Sequence, residues 1–122
     1  GELRREDRTI IGPSAIQFAS QFTPDVFVMS VAAASADRGL MDFDLFETEL
    51  KRAMIGLAGK VVAMIDSSKF AKSGLIQVCD WSAVDLLVSD DVPRDVVAQM
   101  PQGSVHLAAP GIGATVARSP AE

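Results

Sequence analysis

The chain alternates short β-branched runs with stretches whose apolar residues recur at helical spacing. That pattern predicts an α/β fold with a mainly parallel sheet flanked by helices. Residues 25–31, 60–66 and 85–90 each read as a strand, residues 104–108 as a shorter fourth, and residues 8–11 as a further candidate. Their consecutive apolar positions suit strands with a helix layer on each face. Between the first two long strands, Asp44 can cap a helix, with Glu47 three residues on to complete a capping box. Phe46, Leu50, Met54 and Leu57 then form one apolar stripe, and Gly59 is placed to stop the helix. Two more helices are expected, over residues 14–21 and over residues 93–100, the second with Pro93 in its first turn. Residues 109–122 lack periodicity and read as a carboxy-terminal tail behind a domain of residues 1–108.

Composition narrows the classes of function. The 122 residues are 48% hydrophobic, 22% charged and 6% aromatic, as in one ordinary globular domain. Sixteen acidic residues against 11 basic give a net charge of −5. Apart from Arg4, Arg5 and Arg8 the basic residues are scattered, which argues against direct binding to a phosphate backbone. One cysteine excludes an internal disulfide framework, and one histidine disfavours a histidine-rich metal site. The longest strongly apolar run, residues 61–65, falls far short of the roughly 20 residues of a membrane helix. The chain opens on Gly1 followed by charged residues and reads as a fragment of something longer. No cofactor is expected.

In open α/β sheets ligands gather at the carboxyl ends of strands. Those ends carry the small residues 30–35, the polar run Asp66-Ser67-Ser68-Lys69-Phe70, and Ser89-Asp90-Asp91. Each has a plain structural reading. On spacing alone Asp66 suits a turn as well as a ligand contact, and Lys69 suits a solvated loop. Glu47 and Lys51, one helical turn apart, suit a surface ion pair, and Asp90-Asp91 suits a helix cap. Cys79 fits a small core residue better than a nucleophile, His106 a structural residue better than a base, and Trp81 a packing anchor. Gly111-Ile112-Gly113-Ala114 matches half a dinucleotide fingerprint without the strand–turn–helix unit and downstream acid that would make it one. A receiver domain would need an acidic pair after its first strand and a lysine after its last. A P-loop enzyme would need a Gly-Lys-Ser/Thr loop. Neither set is present.

The order of the segments is more specific. Residues 25–31 (Asp-Val-Phe-Val-Met-Ser-Val) are followed by Asp37-Arg38-Gly39-Leu40-Met41, then by residues 47–55 (Glu-Thr-Glu-Leu-Lys-Arg-Ala-Met-Ile). Asp66-Ser67-Ser68-Lys69-Phe70 and residues 84–90 complete the series. This succession resembles the carboxy-terminal effector domain of DeoR-type transcriptional repressors, and the likeness covers roughly residues 1–100. Gly1-Glu2-Leu3-Arg4 and Gly12 also resemble a glycine-bearing segment of that family. The resemblance implies a sensor fold related to sugar-phosphate isomerases and CoA transferases. It implies that a phosphorylated sugar or related metabolite binds and releases the repressor from its operator. It implies that Glu47, Lys51, Asp66 and Lys69 line or support the effector site. Lys69, and with it Lys51, would offset phosphate charge, while Asp66 and Glu47 accept from sugar hydroxyls or orient the lysines.

Two departures accompany it. Ala32 and Ala33 stand where the family usually has glycines. The family's phosphate loop and its amino-terminal helix-turn-helix have no counterpart in this chain. The resemblance thus implies a partial sensor of a cytoplasmic repressor, oligomeric, with no membrane contact, reaching operator DNA only through the helix-turn-helix module. Two alternatives stand beside it: an isomerase-like enzyme using Glu47 or Asp66 as general base, and a structural oligomerisation domain that binds no ligand.

Overall fold

β-branched runs form the parallel sheet where the sequence places them. The computed structural model describes residues 2–4, 9–11, 17, 21, 23–74 and 76–108. Strands β1 (Glu2–Arg4) and β2 (Thr9–Ile11) pair as an antiparallel ribbon. Strand β3 (Val26–Met29) pairs parallel with β6 (Lys60–Met64), β6 with β8 (Leu86–Ser89), and β8 with β9 (Val105–Leu107). The sheet order is therefore β3-β6-β8-β9, each strand lying beside the next parallel one in sequence. Asp85 helps fix this register, because its carboxylate accepts from the Val61 backbone N–H at 2.8 Å while its own N–H donates to Val61 O at 2.9 Å.

A second sheet interrupts the crossovers, and the hydrophobic pattern does not announce it. β4 (Ala33–Ser35), β5 (Gly39–Asp42) and β7 (Ile76–Cys79) are antiparallel, in the order β4-β5-β7. Residues 36–38 join β4 to β5, closing on Gly39, whose φ of 72° is a left-handed conformation that glycine adopts without a Cβ clash. Ala33 and Ala34 are wholly buried strand residues. Of the small residues 30–35 expected at the carboxyl end of the first strand, only 30–32 form the link between β3 and β4.

Helix α1 (Leu45–Leu57) starts as its sequence requires, with Asp44 Oδ1 accepting from the N–H groups of Phe46 at 2.9 Å and Glu47 at 3.2 Å. Its buried face differs from the expected stripe. Thr48 is wholly buried, its hydroxyl donating to Asp44 O at 2.8 Å, and Ile55 packs on the core. Phe46 remains 44% exposed. Leu50 and Met54 are half-buried, while Lys51 and Arg52 reach the backbone carbonyls of Ser30, just after β3, and of Val78 in β7. Gly59 does not end the helix through a left-handed cap; Ala58 caps it in extended conformation. A Cβ at Gly59 would lie 2.9 Å from Asp25 O, so close approach to the entry of β3 is what requires glycine there.

The expected helix over residues 93–100 shortens to α2 (Arg94–Val97), with Val96 buried, and turns carry the chain on to Met100. The helix expected over residues 14–21 lies outside the described residues apart from Gln17 and Gln21, as does the tail 109–122 with its glycine pair. Met29, Val31, Ala34, Leu40, Val61, Ala63, Ile65, Val78, Trp81, Val84, Leu87, Val96 and Met100 form one core that joins the two larger sheets. Burial of β3 alternates, with Val26 and Val28 exposed while Met29 is buried. Trp81 is the anchor expected of it: 2% exposed, donating Nε1–H to Ser35 O at 2.8 Å and stacked on Phe70 with ring centroids 6.5 Å apart.

Candidate functional site

Parallel pairing sets the carboxyl ends of β3, β6 and β8 side by side, the crevice edge at which open α/β sheets bind ligands. Ser30 follows β3, Asp66 follows β6, and Asp90 follows β8. Adjacent strands are about 4.8 Å apart, so these three positions share one rim.

Asp66 and Asp90 organise the rim by accepting hydrogen bonds. Asp66 caps a 3-10 turn over Ser67–Ala71, its carboxylate accepting from the Ser68 N–H at 3.4 Å and the Ser68 hydroxyl at 2.8 Å. Asp90 reaches across from β8 and accepts from the Ser67 N–H and the Ser67 hydroxyl, both at 2.7 Å. These bonds from Ser67 stabilise its ionised form and lower its pKa below the ordinary aspartate value of 3.8. Asp90 therefore ties two strand ends together. It does not cap the helix, which begins at Pro93 without a side-chain cap. Asp91 Oδ1 accepts from the N–H of the following residue, Val92, at 3.0 Å. Lys69 lies within the 3-10 turn, half-buried, its N–H donating to Asp66 O at 2.9 Å.

Lys51 reaches the rim from α1. Its Nζ donates to Ser30 O at 2.7 Å and forms a 2.6 Å ion pair with Asp42 Oδ2. Asp42 is 6% exposed, and its second oxygen accepts from the Ala32 N–H at 3.2 Å. The expected Glu47–Lys51 pair is thus replaced by Asp42–Lys51 among the described residues, while Glu47 occupies the turn of α1 preceding Lys51. Sequence reasoning missed Asp42 because its burial depends on β5, a strand lacking strong alternation; its position directly after Asp37-Arg38-Gly39-Leu40-Met41 was the available signal.

The remaining candidates are structural or solvent-facing. Cys79 is half-buried in β7, and burial, reinforced by the neighbouring Asp80 charge, pushes its thiol pKa up to about 11, as befits a core residue. His106 is exposed on β9, not enclosed in an apolar strand. Among the described residues no group of acidic, histidine or cysteine side chains could hold a metal ion, and no helix is long and apolar enough to cross a membrane.

Comparison with known proteins shows the family of the chain. The chain is 32% identical over 107 residues to the glycerol-3-phosphate regulon repressor of Haemophilus influenzae, covering 88% of this chain and 42% of that protein. It is 34% identical over 100 residues to the Escherichia coli repressor of the same name, covering 82% and 40%. The transcriptional repressor AccR of Agrobacterium fabrum is 32% identical over 103 residues, covering 84% and 40%. The chain thus spans about two fifths of the length of these relatives, all of which are named as repressors. Residues 1–91 match the DeoR C-terminal sensor domain, with a parallel sheet and helices as the ordered motifs imply. By that match and these relatives, the chain belongs to the DeoR C-terminal sensor domain family.

Proposed function

We propose that residues 1–108 are the effector-sensing part of a cytoplasmic, oligomeric transcriptional repressor and carry out no catalysis. A phosphorylated sugar or related small metabolite binds at the carboxyl rim of the parallel sheet. Binding there controls operator DNA held by a helix-turn-helix module of the same protein. Glu47, Lys51, Asp66 and Lys69 form or support the site. The observation that supports this reading most directly is that two polar groups sit at the carboxyl ends of adjacent parallel strands: Lys51 held at the end of β3, and the Asp66–Lys69 turn at the end of β6. The glycerol-3-phosphate regulon named in two relatives makes small polyol phosphates the first class to try.

The test is a thermal-shift panel of glycerol 3-phosphate and hexose 6-phosphates on the full-length protein, followed by DNA release from its own promoter region. A ligand at 100 times its dissociation constant adds about 2.7 kcal/mol to stability, a visible rise in Tm. A panel that moves neither Tm nor DNA affinity would refute the proposal.

A further inference from the structure

The ammonium of Lys51 has three N–H donors, and two are already engaged, by Asp42 Oδ2 at 2.6 Å and by Ser30 O at 2.7 Å. Asp42 is rigidly placed. It lies on β5 opposite Ile76 of β7, is 6% exposed, and has its other oxygen taken by the Ala32 N–H. The Lys51 side chain is still 21% exposed at the rim. Lys51 therefore presents an ammonium whose charge is compensated and whose position is fixed, with a single donor left over. Such a group is poorly suited to a dianionic phosphate, which rewards a free cation, and well suited to one uncharged oxygen. Lys69 forms no ion pair among the described residues, and its turn closes the adjacent strand end.

Building on the effector site proposed above, we infer that Asp42 is a positioning residue that makes Lys51 a single-donor reader of a hydroxyl or carbonyl oxygen of the effector. The pair selects which metabolite is accepted, and the phosphate charge falls to Lys69. Asp42 acts only through Lys51 and need not touch the ligand.

The experiment compares the tightest binder of the sugar-phosphate panel with methyl phosphate, which keeps the monoester and lacks hydroxyls. Both are titrated at several salt concentrations against the full-length protein and its Lys51→Met, Asp42→Asn and Lys69→Met variants. Lys51→Met weakens the hydroxylated ligand about tenfold or more, as expected when a charged hydrogen-bond donor is lost, and leaves methyl phosphate nearly unchanged. Asp42→Asn weakens the hydroxylated ligand and steepens the salt dependence, because the ammonium loses its counter-charge. Combined with Lys51→Met it adds no further loss. Lys69→Met weakens both ligands and flattens the salt dependence.

Equal losses on both ligands in Lys51→Met, or additive losses in the double variant, would overturn the inference while leaving the effector site standing. A panel without any binder would overturn the site itself. Where Lys51→Met melts too early to titrate, Lys69→Met decides alone, since methyl phosphate affinity that survives it refutes the division of roles.

Discussion

Replacing glycine by alanine at three positions separates the cost of a backbone angle from the cost of a contact. Gly103 has φ 84° and open space around a built Cβ, so Gly103→Ala incurs only the left-handed conformation, about 1 kcal/mol of lost stability. Gly39 has a similar φ of 72°, but its Cβ would lie 2.4 Å from Cys79 O and 2.8 Å from Asp80 Cα. Those are backbone atoms of β7 and the residue after it, so no side chain can swing aside. Restoring ordinary contact moves β5 off β7 by about 1 Å and weakens one or two ladder hydrogen bonds, each worth about 1 kcal/mol. Gly39→Ala is therefore expected to cost about 3 kcal/mol, a large share of a typical 5–15 kcal/mol domain stability. Gly56 sits inside α1 with nothing near its built Cβ, and Gly56→Ala is expected to stabilise by about 1 kcal/mol. Urea denaturation followed by far-UV circular dichroism reads all three, provided the m-value is unchanged. A Gly39→Ala variant no less stable than Gly103→Ala would refute the claim that contact with β7, beyond dihedral strain, demands glycine at this turn.

Other perturbations have equally definite outcomes. Asp44→Ala removes the side-chain acceptor of two N–H groups and should lower stability by about 1 kcal/mol in the same denaturation assay, whereas no change would show that the cap is dispensable. With a pKa near 11, Cys79 is about one-thousandth thiolate at pH 8, so iodoacetamide should alkylate the native protein far more slowly than the urea-unfolded chain; equal rates would contradict its burial. Because the pKa of Asp90 is lower in the folded state, the unfolded chain binds more protons between the folded and unfolded values. The stability contributed by Asp90 is complete above its ordinary pKa and is lost as pH falls through the folded value. Asp90→Asn should therefore flatten the acid limb of the stability curve, and an unaltered limb would refute the Ser67–Asp90 tie.

The parallel sheet was legible because β6 and β8 are unbroken apolar runs bounded by charged residues, a pattern with few alternative readings. The second sheet was not. β4 consists of alanines and a serine, and β5 is buried along its whole length, so neither shows a period of two. β7 does alternate, with Gln77 exposed and Val78 buried, but it is four residues long and far in sequence from its partner. α1 was legible in extent and in its amino-terminal cap, while the carbonyls that Lys51 and Arg52 find, at Ser30 and in β7, were not. The same logic governs the site. Asp66 and Lys69 could be placed from the end of a recognisable strand, whereas Asp42 comes to pair with Lys51 only once β5 is buried against β7, a strand far from it in sequence.

The buried indole of Trp81 gives this architecture a built-in optical reporter. The chain has one tryptophan and no tyrosine, so its near-ultraviolet emission comes almost wholly from this position. That position is the seam between the two larger sheets, bonded to the end of β4 and stacked on the ring of Phe70. Phe70 belongs to the same 3-10 turn as Lys69. A ligand that draws on Lys69 therefore acts on the neighbour of the only fluorophore of its kind. Emission wavelength and quenching by acrylamide can then follow the docking of the sheets and test occupancy of the proposed rim site in one label-free signal.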